Sequence, residues 1–284
     1  MKKIFLLISF SFVQLGWALF PEASPLFNKP FYGPKLASSF RGSQNSEIIF
    51  LYDGRGSWEA GVENLKAFLQ EEGLSYATKG SNEIIKGDLQ SEKPSVLIMP
   101  GGESWVYLED LKESGAENIR NFVQAGGGYL GICAGAFYAT SHRKGGAANG
   151  PYGIGLLNGT AYDGTSLEAP GYIEGVMVFD WELGNPLVQG LGKTVKMLLY
   201  GGPAFHFSSE EAKAKKIEVA LRFAQSHEPA MIRFEYGQGK VFLSAPHFEI
   251  KEEEGEKPLH DFTWPFLRRV VDSLTLSVKG NQKL

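Results

Sequence analysis

From residue 47 onward, short apolar runs alternate with segments whose apolar positions recur every three or four residues. Glu47-Ile48-Ile49-Phe50-Leu51-Tyr52 has the length of one strand and lacks the polar alternation of a half-exposed one, so it predicts a buried strand. Asp53-Gly54-Arg55-Gly56 turns the chain, and Ser57 stands where a helix cap is needed. Val62, Leu65, Phe68 and Leu69 then mark one helical face, which Gly73 ends. A second strand is predicted near Ser75–Thr78 and a third at Ser95–Met99, running into Pro100-Gly101-Gly102. A helix near Ala116–Gln124 leads through Gly126-Gly127-Gly128 to the strand Tyr129–Ile132, and Cys133 with Ala134-Gly135-Ala136 opens another helix. Strands alternating with helices predict a doubly wound α/β architecture: a mostly parallel sheet with helices on both faces. A ligand site then lies beyond the carboxyl ends of the strands, where the turns at 53–57, 100–102 and 133 all fall.

The stretch from Lys144 to Gly202 breaks this rhythm. It is Gly-rich, with strand-like pieces at Tyr172–Phe179 and Val195–Tyr200, and predicts an antiparallel insertion on the same sheet. Met231–Tyr236 and Lys240–Ser244, joined by Gly237-Gln238-Gly239, predict a hairpin. Phe262–Leu274 predicts a closing helix, and the Lys/Glu run at 251–257 a solvated loop. The domain therefore spans 47–276, followed by a tail at 277–284 and preceded by an irregular Pro-, Ser- and Gly-rich leader at 19–46.

The first eighteen residues have a different logic. Lys2-Lys3, the apolar run Ile4–Val13 and Gly16-Trp17-Ala18 come in the order of a secretory signal peptide, with cleavage expected after Ala18. The apolar run is too short to span a bilayer, so the expectation is a periplasmic or secreted protein without stable membrane insertion. Across 284 residues, 43% are hydrophobic and the net charge is -4, enough for a sizeable core. The charge is not gathered into a basic stripe, which argues against a nucleic-acid partner.

Export changes the meaning of the chain's one cysteine. In an oxidising compartment cysteines are used in pairs, and Cys133 has no partner within the chain. Its setting points to chemistry. Gly131-Ile132-Cys133-Ala134-Gly135 has the spacing of a nucleophile elbow, where a sharp strand-to-helix turn demands small neighbours. The following helix aims its N-terminus at the sulfur, and the Ala134 N–H is available to an oxyanion. Of five histidines, His247 alone directly follows a predicted strand and has a carboxylate, Glu249, two residues on. In extended chain the two side chains share a face, so Glu249 can hold one imidazole nitrogen while the other faces Cys133. His206 lacks a carboxylate nearby in sequence, His142 reads as surface, and His227 and His260 lie in polar loop-like sequence.

This constellation resembles the class I glutamine amidotransferase family. The resemblance implies a flavodoxin-like fold, a Cys133–His247–Glu249 triad, and an oxyanion loop at Pro100-Gly101-Gly102, with Gly102 as the second donor. A narrower similarity rests on Met99–Gly102, Gly126–Ala139, Tyr200–Phe205 and Tyr52–Ser57, which resemble the amidotransferase-like N-terminal domain of eukaryotic biotin–protein ligases. Two departures shape the functional expectation. Phe137 stands where glutaminases place a Gln of the glutamine pocket, and no synthetase or biotin-ligase domain follows. The expected activity is therefore hydrolysis of a small-molecule or peptide amide by Cys133, without ligase activity, metal or other cofactor. Arg55 in its turn, with Trp105 and Phe205, is the expected substrate-binding region, and Tyr138 a further pocket wall. The alternatives are a non-catalytic binding module on the same fold and a relative whose thiolate acts without His247.

Overall fold

The computed structural model describes residues 48–145, 149–164, 174–251 and 260–275. The expected signal peptide, leader and tail lie outside these residues, as do the Lys/Glu run from 252 and the start of the Tyr172–Phe179 strand.

The elements in the first half are β1 (Ile49–Tyr52), α1 (Glu59–Glu71), β2 (Tyr76–Lys79), α2 (Ser81–Lys86), α3 (Asp88–Ser91), β3 (Val96–Met99), α4 (Ser104–Gln124), β4 (Gly128–Ile132) and α5 (Ala134–Ala139). There follow β5 (Thr140–Lys144), β6 (Gly150–Pro151), β7 (Leu157–Asp163), β8 (Glu174–Trp181), β9 (Thr194–Tyr200) and β10 (Pro203–His206). The chain closes with α6 (Ser209–Ala214), β11 (Glu218–Phe223), β12 (Pro229–Tyr236), β13 (Gly239–Ser244) and α7 (His260–Thr275).

β1, β3 and β4 are buried along their whole length, which is why they read as unbroken apolar runs. Their side chains alternate between the two faces of the sheet. Ile49, Leu51, Val96 and Ile98 pack toward Leu65 and Phe68 of α1 and Phe266 and Val270 of α7. Phe50, Tyr52, Leu97 and Met99 pack with Tyr107 and Ile119 of α4 on the other face. Each fully buried Leu or Phe contributes roughly 1.5–3 kcal/mol, so this two-sided burial is what fixes the sheet between its helices.

The main sheet runs β2-β1-β3-β4-β13-β12-β11-β8-β9. Its first five strands are parallel to their neighbours, and the rest form an antiparallel wing. This is the expected doubly wound α/β core, with β12–β13 forming the expected hairpin and Tyr236 opposite Gly239 across its turn.

The insertion is more divided than its sequence suggests. β8 and β9 do extend the main sheet, but β10, β7, β5 and β6 form a separate four-stranded sheet. The cause lies at the end of α5. Thr140 Oγ1 donates to the Phe137 carbonyl at 2.9 Å, and β5 begins at the residue after the helix ends. The chain has no slack with which to return to the sheet edge, so it pairs locally, β5 running parallel to β7. β11 and the short helices α2 and α3 carry too weak a period to be anticipated.

Candidate active site

The elbow is built as its glycines demand. Cys133 sits at φ 48, ψ -103, a strained conformation for a residue with a side chain. A Cβ on Gly135 would lie 2.2 Å from the Met99 carbonyl oxygen, and one on Gly131 2.6 Å from that of Gly135, so both must lack one. Cys133 N–H donates to the Ser244 carbonyl at 2.8 Å, and Gly135 N–H to that of Pro100 at 3.1 Å. These bonds tie the nucleophile turn to the ends of the flanking strands, β13 and β3.

β4 and β13 are parallel neighbours with Ser244 beside Ile132. Whatever follows the two strands must meet, which brings His247 to Cys133. The segment differs from expectation in one respect. After Ser244 the chain turns instead of continuing extended, and His247 N–H donates to the Leu198 carbonyl at 2.8 Å. The turn still delivers the pair: His247 Nδ1 lies 2.7 Å from Glu249 Oε1, with the side chains 1% and 0% exposed.

The imidazole is clamped from both sides. Trp58 meets it edge-on at 4.9 Å between ring centroids, and a Cβ on Gly101 would fall 2.4 Å from its Cε1. Nδ1 is engaged by Glu249, while Nε2 is buried and makes no hydrogen bond. Cys133 Sγ donates to the Tyr200 carbonyl at 3.3 Å.

Burial pushes the His247 pKa down, but the Glu249 charge, and after it the nearby Cys133 sulfur, raise it from 6.5 to about 10. Because the folded value lies above the unfolded one, the protonated imidazole contributes stability that is complete below about pH 6.5 and lost as pH rises through about 10. Urea midpoints taken at pH 6 and pH 10 should therefore fall more for the wild type than for His247→Gln. Equal falls would show that His247 gains no stability from its neighbours.

Of the oxyanion candidates, Gly102 lines the same cleft as Cys133 and Ala134 directly follows it at the start of α5. Among the described residues no acceptor takes the N–H of Gly102 or of Ala134. Gly101 contributes its carbonyl, which accepts from Trp58 N–H at 2.8 Å and from Tyr107 Oη at 3.1 Å. Glu103 N–H donates to the Gly56 carbonyl at 2.8 Å, so the turns after β1 and β3 hold each other. That pairing also corrects the expected cap: Trp58, not Ser57, is the N-cap residue of α1, and the buried Ser57 Oγ makes no hydrogen bond.

A cleft of about 500 Å³ opens over Cys133, lined also by Gly56, Ser57, Trp58, Glu59, Gly102, Glu103, Ser104, Phe137, Arg143, Asp163, Tyr200, Gly201 and His247. The expected substrate-binding residues do not line it. Arg55 is 66% exposed and pairs with Asp110 at 3.3 Å, because the turn faces it away along α4. Trp105 is half exposed, its indole N–H engaged by Glu103. Phe205 is buried in β10 and borders a separate surface concavity with His206 and Glu228. There His206 Nε2 lies 2.9 Å from Glu228, a carboxylate 22 residues away that proximity along the chain does not reveal. Tyr138 is fully buried in the core against Tyr107.

In their place the structure presents residues that the sequence did not single out. Trp58 packs on the imidazole, and Arg143 and Asp163 form an ion pair at 2.9 Å within the cleft. Only the position of Trp58, directly after the Gly-Arg-Gly-Ser turn, offered a signal. Among the described residues no group of His, Cys, Asp and Glu is placed to hold a metal ion, and no helix is long and apolar enough to cross a membrane.

Comparison with known proteins agrees with this architecture. A solved glutamine amidotransferase superposes with a TM-score of 0.55 at 22% identity, covering 80% of this chain and 98% of its own. A glutamine amidotransferase of Thermotoga maritima gives 0.54 at 13% identity, covering 81% and 99%. At these identities the likeness is one of fold. An uncharacterized protein of Chlamydia muridarum is 27% identical over 224 residues, 74% of this chain and 83% of its own. A biotin–protein ligase of Schizosaccharomyces pombe is 38% identical over 47 residues, 16% of this chain and only 7% of the ligase. Residues 47–279 match the family model described as biotin-protein ligase, N terminal. With its elbow on an amidotransferase-like sheet, the chain belongs to the biotin–protein ligase N-terminal family.

Proposed function

We propose that this protein is a cysteine-dependent amide hydrolase, with Cys133 as nucleophile, His247 as proton carrier and Glu249 as the group that orients His247. The observation that carries the reading is the buried His247–Glu249 pair, with Nε2 unbonded beside the elbow cysteine. In the first step the Cys133 sulfur attacks the amide carbon, its proton already held on His247 Nε2. The oxygen charge that develops is met by the N–H groups of Gly102 and Ala134, each worth about 3 to 4 kcal/mol in such a role. His247 then returns the proton to the leaving nitrogen as the C–N bond breaks, leaving a thioester. Water, deprotonated by His247, attacks the thioester, and the acid leaves as the Cys133 thiolate is restored. Metal and cofactor have no part in this scheme, and neither does ligation.

The same reading extends to place and partners. The protein acts outside the cytoplasm after cleavage behind Ala18, on a small-molecule or peptide amide, with no nucleic-acid partner. N-terminal sequencing of the mature chain tests the export step; a chain retaining Met1 overturns it.

Activity is tested with a panel of amides, peptides and glutamine, comparing wild type with Cys133→Ala. The substitution should lower turnover about 10³-fold or more. One observation favours the rival reading of a binding module. Phe137, 3% exposed, fills the place of the glutaminase Gln and stacks under Arg143. Tight binding of an amide without Cys133-dependent release of ammonia or amine would establish that rival.

A further inference from the structure

We propose that Arg143 determines specificity in the Cys133 cleft by binding a carboxylate carried by the substrate, so that the substrate class is an amide with an anionic far end. The inference rests on the hydrolase reading only for the word substrate; the anion site itself is argued from hydrogen bonding.

Arg143 lies on β5, which begins where the nucleophile's own helix ends, and it lines the same cleft as Cys133. Its guanidinium is 4.4 Å above the Phe137 ring, which fixes the plane of the fork. The side chain is only 19% exposed, yet its five N–H donors are poorly served. Nη2 donates to Asp163 Oδ2 at 2.9 Å. Nη1 reaches the hydroxyls of Ser104 and Tyr152 only at 3.4 Å, and these two hydroxyls hold each other at 2.7 Å. Nε is buried with no acceptor. A largely desolvated guanidinium with one good bond is costly unless an acceptor arrives, and a planar carboxylate is the acceptor whose geometry matches the fork.

The other charges of the cleft do not compete for this role: the His247 imidazolium is neutralised by Glu249 at 2.7 Å. Asp163 is committed to Arg143 itself and holds it in place. Glu59 and Glu103 are exposed, where water screens them, and Glu103 accepts the Trp105 indole N–H. Among the described cleft residues Arg143 is the only Lys or Arg. Phe137 completes the logic. It excludes the Gln expected of glutaminases and supplies the platform on which Arg143 lies, so polar recognition has moved from the helix to the strand that follows.

Two readouts on the full chain separate this inference from the hydrolase reading. The first is ammonia release from mono-amides of dicarboxylic acids of four to six carbons, each against the neutral alkyl amide of the same length. Wild type should favour at least one acid-bearing amide by about 10-fold or more in kcat/KM. Arg143→Gln should erase that preference, chiefly by raising KM for the acid-bearing amide. The second needs no turnover: the free dicarboxylates should slow alkylation of Cys133 by iodoacetamide in wild type and fail to do so in Arg143→Gln. Cys133-dependent hydrolysis with no carboxylate preference overturns the role of Arg143 and leaves the hydrolase. Arg143-dependent protection without any hydrolysis overturns the hydrolase and leaves the anion site. Because Arg143→Gln strands Asp163, the double variant Arg143→Gln/Asp163→Asn is measured beside it. Anion protection that survives in the folded double variant also overturns the proposal.

Discussion

Glu249→Ala should lower the stability of the fold by about 3 kcal/mol, and Glu249→Gln should separate that loss from the loss of catalysis. The carboxylate is fully buried, Oε1 holds His247 Nδ1 at 2.7 Å, and Oε2 has no other partner. Its chief task is therefore to neutralise and orient one imidazole. Alanine removes both functions and leaves a buried ring nitrogen without an acceptor. Because the imidazole can then shed its proton, the cost falls at the lower end of what a broken buried pair exacts. For a domain of this size the melting temperature should drop by roughly 6–12 °C. Glutamine retains the shape and can still accept from Nδ1–H, so most of the stability should survive. It cannot stabilise the imidazolium, so amide hydrolysis should fall by about 10²- to 10⁴-fold. A melting curve and a rate assay on the two variants check this. Wild-type turnover in Glu249→Gln would show that Glu249 is a structural partner with no part in catalysis.

How much of this was legible in the sequence depends on whether the determinants are local. The Gly131–Gly135 elbow is local: the clashes that forbid side chains at its glycines arise within the turn and from Met99 at the end of the neighbouring strand. His247 was legible for a topological reason. β4 and β13 are parallel neighbours, so the residues that leave their carboxyl ends meet wherever the rest of the chain goes. Arg143 and Asp163 meet because α5 stops after six residues and the chain begins a second sheet, and no period in the sequence announces that stop. The misplacement of Arg55 has the converse cause. Its turn does border the cleft through Gly56 and Ser57, but a turn does not reveal which way a long side chain leaves it, and Asp110 draws this one to α4. Backbone features of the site were thus readable from motifs, whereas side-chain partners separated by tens of residues, such as His206 and Glu228, required the packed sheets.

The second large effect concerns the loop after β3. Gly102→Ala should abolish a working oxyanion loop. Gly102 lies at φ 140, where an L-residue is strained, and its new Cβ would sit 1.9 Å from the Gly56 carbonyl oxygen and 2.8 Å from Trp58 N. Both obstacles are backbone, so no rotamer can relieve them. Relief must come from separating the turn after β3 from the turn after β1, which breaks the bonds from Trp58 N–H to Gly101 and from Glu103 N–H to Gly56. The displaced Gly102 N–H then no longer meets the oxyanion, and Trp58 loses its place on the imidazole. Loss of one such donor costs about 10²–10³ in kcat, and the variant should reach at least that. Gly73→Ala is the matched control, because Gly73 also has positive φ, 64, but has nothing within 4 Å of the added carbon. It carries the conformational cost alone, about 1–2 kcal/mol, and should keep wild-type kcat. Turnover per folded molecule, with the folded fraction taken from circular dichroism, decides the matter. If Gly102→Ala folds and hydrolyses amides at the wild-type rate, the loop after β3 does not supply the second oxyanion donor, and Ala134 must act without it.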